Sequence, residues 1–283
     1  MNLCTLIIIA TAVLYSATAH AADIRLSVGE VKDSRTTGQF FSELELKLKL
    51  TGDDVPAIRG VRTIVTRAVD GTGRNILKKA EKTADFESFS DAVSGQTAVT
   101  LKLKNPARRA AVVSEISGEL RVFMPERDKA ATVVVKGFPA KAGKPLSDPS
   151  LAKAHVEVTV LTKADYDAMI KHKEEEKIRA EGKKEGLTGA MMNMMEGFMG
   201  MFLEVSEHDV ILQIADPAEK VIDIDLLSAN GDPVQTQGSM KSEGLKVLKF
   251  HKPLPADTQL RIFVATEKAM ASVPFTLTDV ALP

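Results

Sequence analysis

The sequence predicts a mostly β protein: two immunoglobulin-like or fibronectin-like antiparallel β-sandwich modules joined by a helical, Met-rich insert. Three observations predict this class. Short runs of alternating apolar and polar residues recur in both halves, turn residues separate these runs, and a charged stretch followed by a Met-rich stretch interrupts the pattern between residues 162 and 204. Many short strands with regularly spaced turns are typical of sandwiches.

Residues 1–21 have the pattern of a signal peptide. An apolar stretch of about a dozen residues precedes the small residues Ala19 and Ala21, and such a stretch is too short to span a membrane but typical of an export signal. We therefore expect cleavage near Ala21 and a mature chain that is periplasmic or extracellular.

Composition excludes several classes of function. The single cysteine, Cys4, lies in the predicted signal, so the mature chain is expected to have no disulfide, thiolate metal site or Cys nucleophile. The 37 basic and 38 acidic residues give a formal net charge of −1, which offers no electrostatic basis for nucleic-acid binding. Trp is absent and Tyr occurs twice, so carbohydrate binding by ring stacking is disfavoured.

Residues 22–161 are predicted to form the first sandwich module. Leu44, Leu46, Leu48 and Leu50 alternate with charged residues, which is the period of a strand with one buried face. The other predicted strands of this module are Ile24–Val31, Val61–Val69, Val99–Leu103, Glu119–Met124, Thr132–Lys136 and Val156–Leu161.

Residues 205–283 are predicted to form the second sandwich module. Its predicted strands are Val210–Ile214, Val221–Leu227, Leu245–Phe250, Gln259–Val264 and Val273–Leu277. The motif order LKNP, ELRVFMP, VVVKGF in the first half resembles FHKP, QLRIFVA, SVPF in the second. Either the module is duplicated, or two sandwiches share their strand and turn patterns.

Residues 162–204 are predicted to form a helical connector in two parts. Thr162 can cap a helix, and Asp165 suits the positive end of its dipole. The charged stretch from Lys171 to Glu185 has oppositely charged residues four apart, which supports an exposed helix. A Met-rich amphipathic helix is expected to follow.

The Met-rich helix is the predicted binding element. At about 100° per residue, its large apolar residues fall on one wide face, opposite Asn193 and Glu196. That face is wide enough to cover a large surface. It consists of Met191, Met192, Met194, Met195, Phe198, Met199, Met201 and Phe202.

Four roles for this face remain open. It can pack on its own chain, between the modules, or it can dock another protein or a second copy. Membrane contact is possible but less favoured, because the preceding charges are mixed rather than cationic. Thioether sulfurs are soft ligands, so an alternative is a periplasmic Cu(I)- or Ag(I)-binding protein whose ligands are Met191, Met195 and Met199.

Catalytic chemistry is not predicted. The histidines are far apart in sequence, and Asp223 and Asp225 alternate with Ile residues, as on the wet face of a strand. Five arginines of the first half could form a basic patch, but alternation through the strands favours a solvated face: Arg59, Arg62, Arg67, Arg108 and Arg109. The sequence thus predicts an exported, non-enzymatic binding or scaffolding protein without a cofactor.

Overall fold

The computed structural model describes residues 22–35, 42–78, 85–89, 98–181, 205–242 and 244–283, with side chains described up to residue 172 in the long helix. Within these ranges the protein is mostly β, and its sheets are antiparallel. None of the helices in the described ranges is both long and apolar enough to cross a membrane.

The strands, in chain order, are β1 (Arg25–Ser34), β2 (Glu43–Thr51), β3 (Gly60–Asp70), β4 (Glu87–Ser88), β5 (Ala98–Leu103), β6 (Val112–Phe123), β7 (Thr132–Lys136), β8 (Glu157–Leu161), β9 (Val210–Ala215), β10 (Val221–Leu227), β11 (Gly238–Ser242), β12 (Leu245–Lys249), β13 (Gln259–Val264) and β14 (Met270–Ala281). The α-helices are α1 (Pro149–Ala154) and α2 (Lys163–Glu181). Short 3-10 helices lie at Val55–Ala57, Pro125–Arg127, Lys129–Ala131 and Phe138–Lys141.

Unit I consists of two sheets around one core. The sheet β1-β2-β5 faces the sheet β14-β6-β3-β4. The alternation in β2 turns Leu44, Leu46 and Leu48 into this core, where they are fully buried, as the period-two pattern predicts. Ile116 and Leu120 of β6 meet them from the opposite sheet.

Unit II is built in the same way. The sheet β11-β12-β9-β8 shares a core with the sheet β10-β13-β7. Val158, Leu212 and Leu260 are fully buried there. Helix α1 closes one end by adding Leu151 to the core, and the Asp148 side chain caps this helix by accepting from the N–H groups of Ser150 and Leu151.

The two units exchange their last strands. Strand β7 belongs to the first half of the chain but pairs with β13 in unit II, and β14 at the C-terminus pairs with β6 in unit I. Apart from the edge strands β4 and β11, which extend opposite sheets, the strand order of unit II, β8-β9-β12 and β7-β13-β10, equals that of unit I with an offset of seven strands. The sheets therefore differ from the predicted modules 22–161 and 205–283, because β7 and β8 lie in unit II and β14 lies in unit I.

A third apolar cluster joins the units. Phe123 at the end of β6 meets Phe263 of β13 edge to face, with 6.0 Å between the ring centroids. Ile222, which lies at a register shift in β10, packs here so closely that a Cβ at Gly60 would approach its Cγ2 to 2.7 Å. The junction is thus tightly packed.

Most of the predicted strands occur with small changes in their ends. Thr132–Lys136, Val221–Leu227 and Gln259–Val264 are confirmed without change. The short edge strands β4 and β11 and the helix α1 were not predicted. The predicted Met-rich helix lies outside the described residues.

Candidate functional site

The eight apolar residues predicted to bind a partner lie within 182–204, outside the described residues, as do the three alternative metal ligands Met191, Met195 and Met199. Both flanks of this segment are described. Helix α2 leads into it, and the chain is described again from Val205.

The start of helix α2 and Val205 lie on one apolar surface, the outer face of the sheet β11-β12-β9-β8. We call its buried residues the outer cluster: Tyr166, Val205, Ile211, Leu245 and Val247. Alternation along β9 and β12 turns these strand residues away from the unit II core. The sheet is thus apolar on both faces at this point.

Helix α2 covers part of the outer cluster. Asp165 N–H donates to the Thr162 hydroxyl at 3.1 Å, and this hydroxyl donates to the Asp165 carboxylate at 2.7 Å, which confirms Thr162 as a capping residue. The cap directs Tyr166, Met169 and Ile170 onto the sheet as one helical face. Burial raises the pKa of Tyr166, and the neighbouring Asp167 adds to this effect.

A cavity of about 320 Å³ lies beside the outer cluster. Met169 and Leu245 give it an apolar wall, while Glu157 and Gln213 give it a polar one. The remaining lining residues are Thr159, Ile214, Ala215 and Gly244. The apolar surface of this sheet therefore continues into an open concavity, which can receive further side chains.

A second concavity is strongly basic and lies at one end of unit I. It is a cavity of about 360 Å³, and we call it the cationic cleft. It is lined by Arg35, Ser42, Arg74, Lys104, Asn105, Pro106 and Arg108.

A buried carboxylate connects two segments of the cationic cleft. Asp70 is fully buried and accepts hydrogen bonds from the N–H groups of Thr72, Arg74 and Ala107 and from the Thr72 hydroxyl, at 2.7 to 3.0 Å. Burial acts to raise the pKa of Asp70, but these hydrogen bonds outweigh it and hold the pKa at about 2. Asp70 thereby fixes the turn that carries Arg74 and the loop that carries Arg108.

A second polar network fixes the remaining wall. The Asn105 amide donates to the Asp33 carboxylate at 2.6 Å and to the Ser34 carbonyl at 2.8 Å. Arg35 donates to the same carboxylate through Nε and Nη2, and Nη2 also reaches the Pro106 carbonyl at 3.2 Å. Arg35 is therefore held against the loop that follows β5.

The five arginines considered from sequence do not form one patch. Arg108 lines the cationic cleft, whereas Arg62 lies at the junction, its guanidinium 4.3 Å from the centre of the Phe86 ring. Arg67 pairs with Glu115 at 2.9 Å. Sequence reasoning missed Arg35, Arg74 and Lys104, because three separate segments bring them together and no local spacing marks them.

The other candidate residues have structural partners. Asp225 forms a two-point ion pair with Arg261, and Asp223 pairs with Lys246 at 2.7 Å. His155 ends α1 in the left-handed conformation, with φ of 57°. Among the described residues there is no group of three or more His, Cys, Asp and Glu side chains that could hold a metal ion.

Comparison of the chain with protein-family models, with curated proteins and with solved structures finds no match.

Proposed function

We propose that this is an exported, non-enzymatic binding or scaffolding protein of the cell envelope, which docks another protein or a second copy through its Met-rich helix. The outer cluster is the observation that carries this proposal. It contains Val205, which directly follows residues 182–204, and Tyr166 from the start of helix α2, which leads into this segment.

We further propose that each unit is an immunoglobulin-like or fibronectin-like module. The strand order supports this. Four strands, β11-β12-β9-β8, face three, β10-β13-β7, as the sheets ABED and CFG do in a constant-type immunoglobulin module. Such modules serve many functions, so the functional proposal depends on the surface and not on the fold.

The outer cluster supports a docking role because it extends beyond the helix that covers it. The side chains of Met169 and Leu245 reach both the cluster and the adjacent cavity of about 320 Å³. We propose that the methionine-rich face between helix α2 and Val205 enlarges this surface into an adaptable contact area, since unbranched thioether side chains adjust to irregular partners. The competing proposal is that the face packs on its own chain.

Limited oxidation of the isolated mature protein by dilute peroxide separates the two proposals. Docking requires the methionines of residues 191–201 to be open to solvent in the monomer, so they should be oxidised rapidly at a dilution at which the protein is monomeric. Met124 is fully buried in the unit I core and is the internal control that should stay reduced. Oxidation of the segment at the slow rate of Met124 would contradict the docking proposal.

Deletion of residues 189–203 gives the energetic counterpart. Docking predicts that the deletion changes the free energy of unfolding in urea by no more than about 1 kcal/mol. Each large side chain removed from a core costs about 1.5–3 kcal/mol, and the docking proposal places none of the deleted side chains in a core. A matched variant, Asn193→Ala with Glu196→Ala, alters the opposite face and should behave like wild type. A loss of several kcal/mol on deletion would instead assign the segment to the core.

A further inference from the structure

We infer that the cationic cleft binds a small oxyanion ligand with two or more negative charges, of the chemistry shared by diphosphates and polycarboxylates. This inference is independent of the docking proposal, because the cleft lies in unit I and the outer cluster lies in unit II.

The cleft has uncompensated positive charge. Arg35 is paired with Asp33, but no carboxylate of the described residues forms an ion pair with Arg74, Lys104 or Arg108. The segment that joins Arg35 to Ser42, residues 36–41, contains no Asp or Glu that could neutralise them. Like charges held close together repel one another, and an anion between them relieves this repulsion.

The backbone around the cleft is held in place by side-chain hydrogen bonds. The buried Asp70 carboxylate fixes the backbone of Arg74 and of Ala107, which precedes Arg108. Asn105 fixes the third wall through Asp33 and Ser34. A surface of mobile lysines would have to order itself on binding, whereas here the backbone positions are already set.

Size and lining select the class of ligand. The cleft volume of about 360 Å³ is at the lower end of the range for small-molecule sites and is larger than a single phosphate would fill. Two arginines beside the lysine favour planar or tetrahedral oxyanions, which a guanidinium can bind through two hydrogen bonds. Ser42 and Asn105 add polar side chains to the lining. The cleft therefore suits a compact ligand with several anionic oxygens.

Isothermal titration of the mature protein with pyrophosphate and, separately, with citrate tests the inference. We expect one of these two probes to bind with a stoichiometry of one, and the one that binds identifies the ligand as a phosphate or a carboxylate. The affinity should fall when NaCl is raised from about 20 mM to about 200 mM, because counter-ions screen exposed charges. If neither probe binds at the lower salt with a Kd below about 1 mM, which corresponds to a binding free energy of about −4 kcal/mol, the inference is overturned.

The loop that carries Arg108 offers a matched control. Arg108 and Arg109 are neighbours with the same charge, and both are exposed, but only Arg108 lines the cleft. Arg108→Gln should weaken binding about 10-fold or more, since it removes a charged hydrogen-bond donor, and Arg109→Gln should change it less than about 2-fold. Equal losses in both variants would indicate general attraction to basic surface and would also overturn the inference.

Folding does not obscure this comparison. Both arginines are exposed, and substitutions at exposed sites usually change stability by less than about 0.5 kcal/mol. Urea unfolding of each variant should therefore match wild type. Arg74→Gln, in a different segment, provides an independent second test with the same expected loss of about 10-fold.

Discussion

Replacement of Asp70 by Asn should destabilise unit I and remove part of the pH dependence of its stability. The carboxylate has two oxygens in use: Oδ1 accepts from Thr72 and Arg74, and Oδ2 accepts from the Ala107 N–H at 2.8 Å. An amide can keep only one of these positions. Its NH₂ group would then face the Ala107 N–H, two donors would oppose each other, and a buried donor would lose its acceptor.

The expected size of the effect follows from the pKa. A carboxyl group with a pKa of about 2 in the folded protein and 3.8 in the unfolded chain contributes about 2 kcal/mol of stability. Because the folded pKa is the lower one, this contribution is complete above pH 3.8 and is lost as the pH falls through about 2. With the unsatisfied donor included, Asp70→Asn should cost about 2–3 kcal/mol at neutral pH.

Urea unfolding followed by far-UV circular dichroism measures both quantities, since the chain has no Trp to report by fluorescence. The difference between wild type and variant should be largest at neutral pH and should shrink between about pH 4 and pH 2. Asp85→Asn is the control, because Asp85 is largely exposed and its pair with Lys241 contributes little. A cost below about 0.5 kcal/mol, or pH curves that run parallel, would refute the role given to Asp70.

Four further outcomes are expected. Gly118→Ala should cost about 1–3 kcal/mol in urea unfolding, because its Cβ would overlap the Ile64 carbonyl oxygen, whereas Gly238→Ala, with open space around it, should be neutral. Glu43→Gln should cost about 1 kcal/mol or less at neutral pH, and the cost should shrink in high salt. The hydrogen bonds from Lys78 and Lys102 lower the pKa of Glu43 from 4.5 to about 2, so this contribution is present above pH 4.5 and disappears as the pH falls through 2. Truncation before Met270 should remove the folded signal of unit I, seen as lost amide protection in hydrogen exchange, and retained protection would show that unit I folds without β14. The soft-metal alternative predicts Cu(I) binding, measured by competition with a chromogenic chelator. Changing Met191, Met195 and Met199 together to Leu keeps the packing but removes the sulfurs, so this variant should not bind Cu(I). The alternative is abandoned if the wild type does not bind Cu(I) or if the variant still does.

The strands could be predicted from sequence, but their partners could not. The alternation in β2 and β10 is a local property of the chain, so it marks a buried face wherever the strand lies. Pairing depends on contacts between residues far apart in sequence, such as Phe275 of β14 with Gly118 of β6. Nothing in the local pattern of β7 or β14 distinguishes its own half from the other. The motif similarity between the halves left open whether the module is duplicated, and it did not predict the order of the strands.

The cationic cleft could not be predicted for a related reason. Arg35, Arg74 and Lys104 lie in three segments, each with ordinary surface composition, and only the folded chain brings them together. Asp70 lies in a turn in which the Gly73 N–H donates to the Asp70 carbonyl at 2.9 Å. What the pattern did not reveal is that the carboxylate of this turn also fixes a second loop.

The exchange of β7 and β14 makes the two units dependent on each other. Unit I lacks an edge strand unless the C-terminus reaches it, and unit II lacks one unless Thr132–Lys136 crosses to it. Each crossing segment passes the junction where Phe123 and Phe263 meet. Because unit II is the continuous stretch from β7 to β13, its unfolding would turn the connection between β6 and β14 into a long loop and so raise the entropic cost of placing β14 in unit I. We therefore expect the units to unfold in one cooperative transition, with a fixed orientation between the cationic cleft and the outer cluster. The two proposed binding surfaces would then keep a constant separation, which flexibly joined modules do not provide.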